Sequence, residues 1–259
     1  MTAQFNRLLL TGAAGGLGRS LRAPLKALTQ MLRLSDLAAI AGAQDGEEIV
    51  YCDLADGAAV QALLEGVDAV VHMGGVSVDG PWEPILAANI IGLRHLYEAA
   101  RRHDVKRVVF ASSNHAIGFN PRSRRIDAND PTRPDSNYGV SKVFGEALSR
   151  LYWDRYGIET VCLRIGSSFP APRDRRMLIT CSRMRTWLNW CAAPCVRPRS
   201  NTPSSLAPRP IATAGGTSMR QPIWAGPPWT VRSVFAQPSK PCRRATRMIP
   251  RRCFRVAPM

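Results

Sequence analysis

The chain has 259 residues, of which 45% are hydrophobic, and a formal net charge of +16, a length that allows one large domain or two small ones. Its charge is unevenly distributed: residues 1–174 hold 19 basic and 19 acidic residues, whereas residues 175–259 hold 16 basic residues and no acid. The apolar run at residues 5–10 has no cleavage pattern and no apolar stretch is long enough to cross a bilayer, so we expect neither a secreted nor a membrane-spanning protein.

Short apolar runs with β propensity alternate with helical patterns through the neutral part of the chain. The predicted strands are NRLLLTG, MLRLSD, EIVYCD, DAVVHM, RVVFASS and TVCLRIG, and helices are predicted near residues 17–29, 56–65, 83–102 and 136–156. This alternation predicts an α/β fold with a Rossmann-type doubly wound parallel sheet, whose ligands bind at the carboxyl ends of the strands. The two cysteines of this part, Cys52 and Cys162, fit a reducing cytoplasm.

The first predicted strand ends in a glycine-rich turn, TGAAGGLG. Gly12, Gly15 and Gly18 in this turn form a spacing variant of the dinucleotide-binding pattern. Glycines allow the backbone to turn tightly near a pyrophosphate, and the helix that begins near Leu17 directs its amide groups at the anion. A glycine-rich turn without a ligand is the alternative, but the position between a first strand and a helix favours a cofactor site.

Two aspartates follow the second and third predicted strands. Asp36 could accept hydrogen bonds from both adenosine ribose hydroxyls and would repel the 2'-phosphate of NADP, so it favours NAD. Asp53 suits the adenine amino group, with the Leu54 amide beside it. The alternatives are a turn aspartate at the end of a strand for Asp36 and a helix N-cap for Asp53.

The motif NYGVSK places Tyr138 and Lys142 four residues apart, on one face of a helix. A lysine ammonium near the phenol is expected to lower the pKa of Tyr138, which can then remove a hydroxyl proton while a hydride leaves the carbon. Ser113 ends a strand 25 residues earlier and could hold the substrate oxygen against Tyr138. The alternative is that Tyr138 and Lys142 form an ordinary exposed pair on the helix surface. The position of Ser113 at the end of a strand argues against this alternative.

These motifs together resemble a known family. TGAAGGLG, Asp36, VVHMGG, the serine pair before Asn114 and YxxxK are similar to the extended short-chain dehydrogenase/reductases, the NAD-dependent epimerase/dehydratase family, over about residues 5–170. Within it, HMGGVSV, ASSNHAIGF, RPDSNYGVSK and LRIGSSFPAPRDRRM resemble the bacterial uronate dehydrogenases.

The resemblance implies an NAD-dependent oxidoreductase that converts the anomeric hydroxyl of glucuronate or galacturonate to an aldarolactone. The catalytic residues that it implies are Tyr138, Lys142 and Ser113. The implied cofactor contacts are Gly12, Gly15, Gly16, Leu17, Gly18, Asp36, Asp53, Leu54, Met73, Gly74, Gly75, Tyr138, Lys142 and Ile165. The implied substrate contacts are Ser77, Ser113, Asn114, His115, Ser167 and Arg176. The guanidinium of Arg176 suits the uronate carboxylate, although as isolated residues Arg176 and His115 read as ordinary polar groups.

Two other classes of function stay open. One is a nucleotide-sugar epimerase or dehydratase of the same superfamily, which usually needs a larger C-terminal domain. The other is a catalytically inactive NAD-binding protein, against which the intact Ser–Tyr–Lys set argues. We expect a small sugar acid as the partner, with no metal, nucleic acid or membrane, while a homo-oligomer is compatible with the sequence.

The basic tail, residues 178–259, is expected to form a separate, aberrant and disordered region after the NAD-binding domain of residues 1–177. It holds five of the seven cysteines; Cys191 and Cys195 form CxxxC, but Cys181, Cys242 and Cys253 show no paired zinc spacing and the tail has no histidine, which argues against a metal site. A nucleic-acid-binding arm is a second alternative, but four tryptophans interrupt it.

A shifted reading frame explains the tail best. GC-rich DNA read out of frame yields an excess of Arg, Pro, Ala, Cys and Trp. TWLNWCAAPC can be back-translated so that a two-base shift gives LVELVRRAL, and a later segment gives RDRWWD in the same frame. Uronate dehydrogenases have segments of both kinds in this order, so we place the shift just after Met177. We expect such a tail to impair the activity of the chain.

Overall fold

The computed structural model describes residues 4–121, 123–124, 126–128, 130–167 and 230–233. Its strands are β1 (Phe5–Thr11), β2 (Thr29–Ser35), β3 (Glu47–Ile49), β4 (Ala69–His72), β5 (Arg107–Ser113), β6 (Glu159–Ile165) and β7 (Thr230–Ser233). Its helices are α1 (Gly16–Lys26), α2 (Gly57–Leu63), α3 (Trp82–Ile85), α4 (Gly92–Arg102) and α5 (Asn137–Tyr156). A π turn (Leu86–Ile91) joins α3 to α4, and a short 3-10 helix (Asn114–Ile117) follows β5.

The strands form one parallel sheet in the order β3-β2-β1-β4-β5-β6-β7. The order changes direction between β1 and β4, because the chain moves outward from β1 in one direction and then returns to its other side. In such sheets the crevice beyond the carboxyl ends of the strands at this switch point is the usual ligand site. The predicted doubly wound α/β fold is confirmed.

Apolar side chains alternate along the central strands and build a core on each face of the sheet. Leu9 of β1 belongs to the core that contacts α2, α4 and α5, whereas Leu8 and Leu10 belong to the core under α1. Phe110 of β5 lies in the first core and is 2% exposed. This two-residue alternation is the one expected for strands covered by helices on both faces.

The structure differs from the sequence predictions in one helix and one strand. The helix predicted over residues 83–102 is interrupted by the π turn, which contains the buried Asn89. The third strand ends at Ile49, before the predicted YCD segment. Within the described residues, no helix combines the length and hydropathy that crossing a membrane would require.

One short strand, β7, lies within the residues of the predicted tail. β7 pairs in parallel with β6, in the register Val161 to Thr230 and Arg164 to Ser233. β-Branched residues such as Thr230 and Val231 favour strands, and the outer side of β6 offers unpaired backbone groups. The other residues of the predicted tail, 178–229 and 234–259, lie outside the described part of the chain.

Candidate active site

An open cleft with about 610 Å³ of empty volume lies beyond the carboxyl ends of β1, β4, β5 and β6. Eleven of the residues predicted for the site line it: Leu17, Met73, Gly74, Gly75, Ser77, Ser113, Asn114, His115, Tyr138, Lys142 and Ile165. Three further lining residues, Val76, Ala111 and Gly166, were not predicted. The cleft is the position at which the switch between β1 and β4 predicts a ligand.

The glycine-rich turn is packed too closely to accept side chains. Gly12 has a φ of +70°, and a Cβ there would lie 2.5 Å from the carbonyl carbon of Met73. A Cβ at Gly18 would clash with the carbonyl oxygen of Gly12. Helix α1 begins after Gly15 without a side-chain cap, so no capping side chain competes with an anion for the first amide groups of the helix. The turn therefore fits the pyrophosphate of a dinucleotide.

The two predicted cofactor aspartates lie beside this turn. Asp36 accepts hydrogen bonds from the backbone amides of Ala14 (2.9 Å) and Ala38 (3.1 Å) and so fixes the glycine-rich turn to the end of β2. Asp53 accepts from the amide of Ala55 at 2.9 Å in a local turn. The alternative of Asp53 as an N-cap is wrong, because the residue that precedes α2 and caps it is Asp56. The side chain of Leu54 is buried, at 9% exposure, against the glycines Gly74 and Gly92.

Ser113, Tyr138 and Lys142 meet at the base of the cleft. Ser113 ends β5, and its side chain lines the cleft beside the phenol of Tyr138. Tyr138 and Lys142 occupy successive turns at the start of α5, which Ser136 caps by accepting from the amide of Gly139 at 3.0 Å. Both side chains are buried, with 8% exposure for Tyr138 and 6% for Lys142.

Burial controls the ionisation of this pair. Burial raises the pKa of Tyr138, and the nearby Ser113 side chain opposes the rise only in part. Burial lowers the pKa of Lys142 to about 8. The shift of Tyr138 is opposite to the lowering predicted from the sequence. The physical reason is that the Lys142 Nζ lies over the ring face, 5.2 Å from the centroid, while desolvation penalises the phenolate.

Polar groups predicted to contact substrate line one side of the cleft. The His115 ring lies edge-on to the Tyr138 ring, with 5.5 Å between centroids, and the Ser113 hydroxyl donates to the Asn114 Oδ1 at 3.3 Å. Ser167 is buried just after β6 and is not among the lining residues. Arg176 lies outside the described residues.

Asn89 holds one wall of the cleft and was missed in the sequence. Its side chain accepts from the Val76 amide at 2.8 Å and donates to the Val76 carbonyl (3.0 Å) and to the Ser141 hydroxyl (3.0 Å). It thereby joins the turn after β4 to helix α5. Gly75, next to Val76, has a φ of +110°, and a Cβ there would clash with the Asn89 Oδ1. The signal was a lone carboxamide in the apolar helical stretch ILAANIIGL.

A second missed group supports the glycine-rich turn. The Thr11 Oγ1 accepts from the Gly74 amide at 3.2 Å and lies 2.7 Å from the His72 Nδ1. Burial, together with the nearby charge of Lys142, lowers the pKa of His72 to about 3, so the ring is neutral. The Thr11 hydroxyl can therefore donate to His72 while it accepts from Gly74. This links the ends of β1 and β4.

A buried ion pair joins β5 and α5, which carry the catalytic candidates, to β6 and was also missed. Glu146 of α5 receives two hydrogen bonds from the Arg164 guanidinium of β6, at 2.9 and 2.8 Å. It also accepts from the Ser112 hydroxyl of β5 at 2.6 Å. The two charged side chains are 3% and 6% exposed.

Comparison with known proteins places the chain in a family. Residues 8–186 match the NAD dependent epimerase/dehydratase family. The chain is 61% identical over 187 residues to a uronate dehydrogenase from Pseudomonas syringae pv. tomato, an alignment that covers 72% of this chain and 66% of the relative. The chain thus spans about two thirds of the length of that curated relative.

Solved structures give the same result. A glucuronic acid dehydrogenase from Chromohalobacter salexigens is 51% identical, with a TM-score of 0.72 and coverage of 73% of both chains. A tyrosine-to-alanine variant of uronate dehydrogenase from Agrobacterium tumefaciens, complexed with NAD, is 50% identical with a TM-score of 0.70 and covers 72% of this chain and 70% of its own. The resemblance recognised in the sequence motifs is confirmed.

Proposed function

Because the chain belongs to the NAD dependent epimerase/dehydratase family, we propose that it oxidises the anomeric hydroxyl of a hexuronate, glucuronate or galacturonate, to an aldarolactone with NAD. The observation that carries the proposal is the convergence of Ser113, Tyr138 and Lys142 in one cleft, beside the polar groups of Asn114 and His115. The similarity to uronate dehydrogenases supports this substrate class.

The reaction removes a proton from the oxygen and a hydride from the carbon of one C–OH group, and each catalytic residue has its own role in it. When bound, NAD supplies the acceptor for the hydride. The Ser113 hydroxyl and the Tyr138 phenolate hold the sugar hydroxyl, and the phenolate takes its proton and becomes the phenol as the carbon–oxygen double bond forms. The positive charge of Lys142 stabilises the Tyr138 phenolate that must form before this proton transfer. Burial of both side chains keeps bulk water from screening this interaction.

The cofactor-binding residues follow from the shape of the turn. Gly12, Gly15 and Gly18 hold the pyrophosphate against α1, Gly16 and Leu17 flank it, and Asp36 receives the adenosine ribose. Asp53 and Leu54 are assigned to the adenine, and Met73, Gly74, Gly75 and Ile165 to the wall along the cofactor. On the sugar side we assign Ser77, Ser167 and Arg176, with Arg176 paired to the uronate carboxylate.

Because the aberrant tail is expected to impair activity, the test is a spectrophotometric assay of a chain whose reading frame is restored after Met177, with NAD and glucuronate, galacturonate or the neutral sugar glucose. We expect NADH formation with the uronates, little with glucose, and a loss of about 100-fold or more in Tyr138→Phe, which keeps the ring but lacks the proton acceptor. Near-normal turnover by Tyr138→Phe would remove Tyr138 from the mechanism. NAD binding without uronate oxidation would favour the inactive NAD-binding alternative, and turnover of nucleotide sugars alone would favour an epimerase.

We also propose that the protein works in a reducing compartment such as the cytoplasm. Cys52 and Cys162 are both buried and unpaired in the described part of the chain. Burial raises the pKa of their thiols to about 11 and about 12, so both stay protonated and unreactive near neutral pH.

A further inference from the structure

The segment that precedes helix α5 carries a carboxylate that contacts the substrate side of the cleft. Asp135 Oδ1 lies 2.8 Å from the Nδ1 of His115, and the two side chains are 26% and 40% exposed. The same oxygen accepts from the Ser136 hydroxyl at 3.0 Å. One carboxylate thus bonds both to a cleft-lining imidazole and to the residue that caps the helix of Tyr138.

The backbone around Asp135 shows that this contact is built into the fold. The Asp135 amide donates to the His115 carbonyl at 3.3 Å, and the Arg133 amide donates to the Ala116 carbonyl at 3.0 Å. A Cβ at Gly118 would clash with the other Asp135 carboxylate oxygen, so the short helix leaves room for that carboxylate only because residue 118 is glycine. The carboxylate is therefore held from several directions.

The chemistry of the contact fixes the proton on the imidazole. An ionised carboxylate can only accept hydrogen bonds, so the Nδ1 of His115 must carry a proton. In the neutral ring this leaves Nε2 as an acceptor, and the described part of the chain offers Nε2 no hydrogen-bond partner. Free histidine favours the opposite tautomer, with the proton on Nε2.

We propose that Asp135 is a positioning residue for ligand binding, which fixes the tautomer and orientation of His115 and joins it to the start of the catalytic helix. The Nε2 of His115 then accepts a hydrogen bond from a hydroxyl group of a polyhydroxylated ligand in the cleft. The identification of that ligand as a sugar acid rests on the proposed function, whereas the tautomer does not.

The first test reads the tautomer directly and needs no activity. The full chain is labelled with 15N-histidine, and long-range 1H–15N spectra at alkaline pH resolve its four imidazoles. His115→Gln assigns the signal. We expect the Nδ1–H tautomer for His115 in the wild type and a change to predominantly Nε2–H in Asp135→Ala. A wild-type His115 in the Nε2–H form, or a tautomer that Asp135→Ala leaves unchanged, would overturn the proposal.

A matched control separates this effect from a general change at the end of α5. Asp79 is another carboxylate at this helix end, and its Oδ1 accepts from the Tyr138 amide at 3.3 Å. Asp79→Ala should leave the His115 tautomer as it is in the wild type. If Asp79→Ala changes the tautomer as much as Asp135→Ala does, the specific role of Asp135 is refuted.

The second test measures KM and kcat for the uronate in the assay described above. A residue that positions a binding group should raise KM about tenfold in Asp135→Ala, through loss of a charge-assisted hydrogen bond, with a smaller change in kcat. The affinity for NAD, measured by titration, should stay within about twofold. An unchanged KM in an active variant would refute the role in ligand binding. If the frame-restored chain without further substitutions oxidises no uronate, the proposed function fails, while the tautomer test still decides the role of Asp135.

Discussion

The Lys142 ammonium lies over the face of the Tyr138 ring, 5.2 Å from its centroid, and the same nitrogen is 5.2 Å from the centroid of Phe110. Lys142 is therefore held in an aromatic and largely apolar environment, which stabilises the cation through the ring faces but removes its water. Desolvation is the larger effect, because the pKa of Lys142 falls to about 8.

This pKa predicts how stability depends on pH. A lysine whose pKa is lower in the folded state than in the unfolded chain binds fewer protons when folded, so stability rises with pH between about 8 and the ordinary value near 10.5. Relative to Lys142→Met, the wild type should gain about 2 kcal/mol in the free energy of unfolding between pH 7.5 and 9.5. Urea unfolding at the two pH values measures this gain.

An exposed lysine provides the control for this measurement. The side chain of Lys106 is 69% exposed, so Lys106→Met should not change the pH dependence of unfolding. An equal pH dependence in the wild type and in Lys142→Met would show that the buried lysine does not change its protonation in this range.

Removal of Glu146 should destabilise the fold strongly. Glu146→Ala would leave the Arg164 guanidinium, 3% exposed, without its charge partner, at a cost of about 3–5 kcal/mol. Asp154→Ala, which breaks an exposed pair with Arg150, should cost less than about 1 kcal/mol. Denaturant unfolding compares the two variants, and similar losses in both would show that the buried pair contributes no more than a surface pair.

Asp36 should make the protein prefer NAD to NADP by about tenfold or more, because its carboxylate would repel a 2'-phosphate. Asp36→Asn keeps an oxygen that can accept a hydrogen bond from the Ala14 amide, so the glycine-rich turn should be retained. Because the negative charge is lost, the preference for NAD over NADP should become smaller. Asp53→Asn is the control and should affect both cofactors alike. Calorimetric titration with each cofactor measures the ratio, and tighter binding of NADP by the wild type would contradict the assignment.

The gene should contain an inserted or deleted base just after the codon for Met177. The 16 basic residues from residue 175 onward have no acidic counterpart. Resequencing across the codons for residues 178–185 should reveal this base. The corrected reading frame should encode LVELVRRAL, then the segment with Trp-Trp-Asp, and acidic residues in the tail. A confirmed nucleotide sequence, together with a tail that folds or binds nucleic acid with a steep salt dependence, would refute this.

The sequence predicted the features that are encoded locally. The glycine-rich turn, the strand–helix alternation and the spacing of Tyr138 and Lys142 can each be recognised in a short window. Asn89, His72 and Glu146 could not be recognised in this way, because their partners lie up to 61 residues away in the chain. The direction of the Tyr138 pKa shift also depends on burial, which a spacing rule does not report.

The π turn at Leu86–Ile91 has a consequence for how this region can vary. A π turn accommodates one residue more than the α-helix around it, and each residue rotates the helix by about 100°. Deletion of one residue from the turn would allow a straight helix, but it would rotate α3 relative to α4 and direct Asn89 away from Val76. Apolar positions in the turn can therefore exchange for one another, while the number of residues between Ile85 and Gly92 is fixed by geometry.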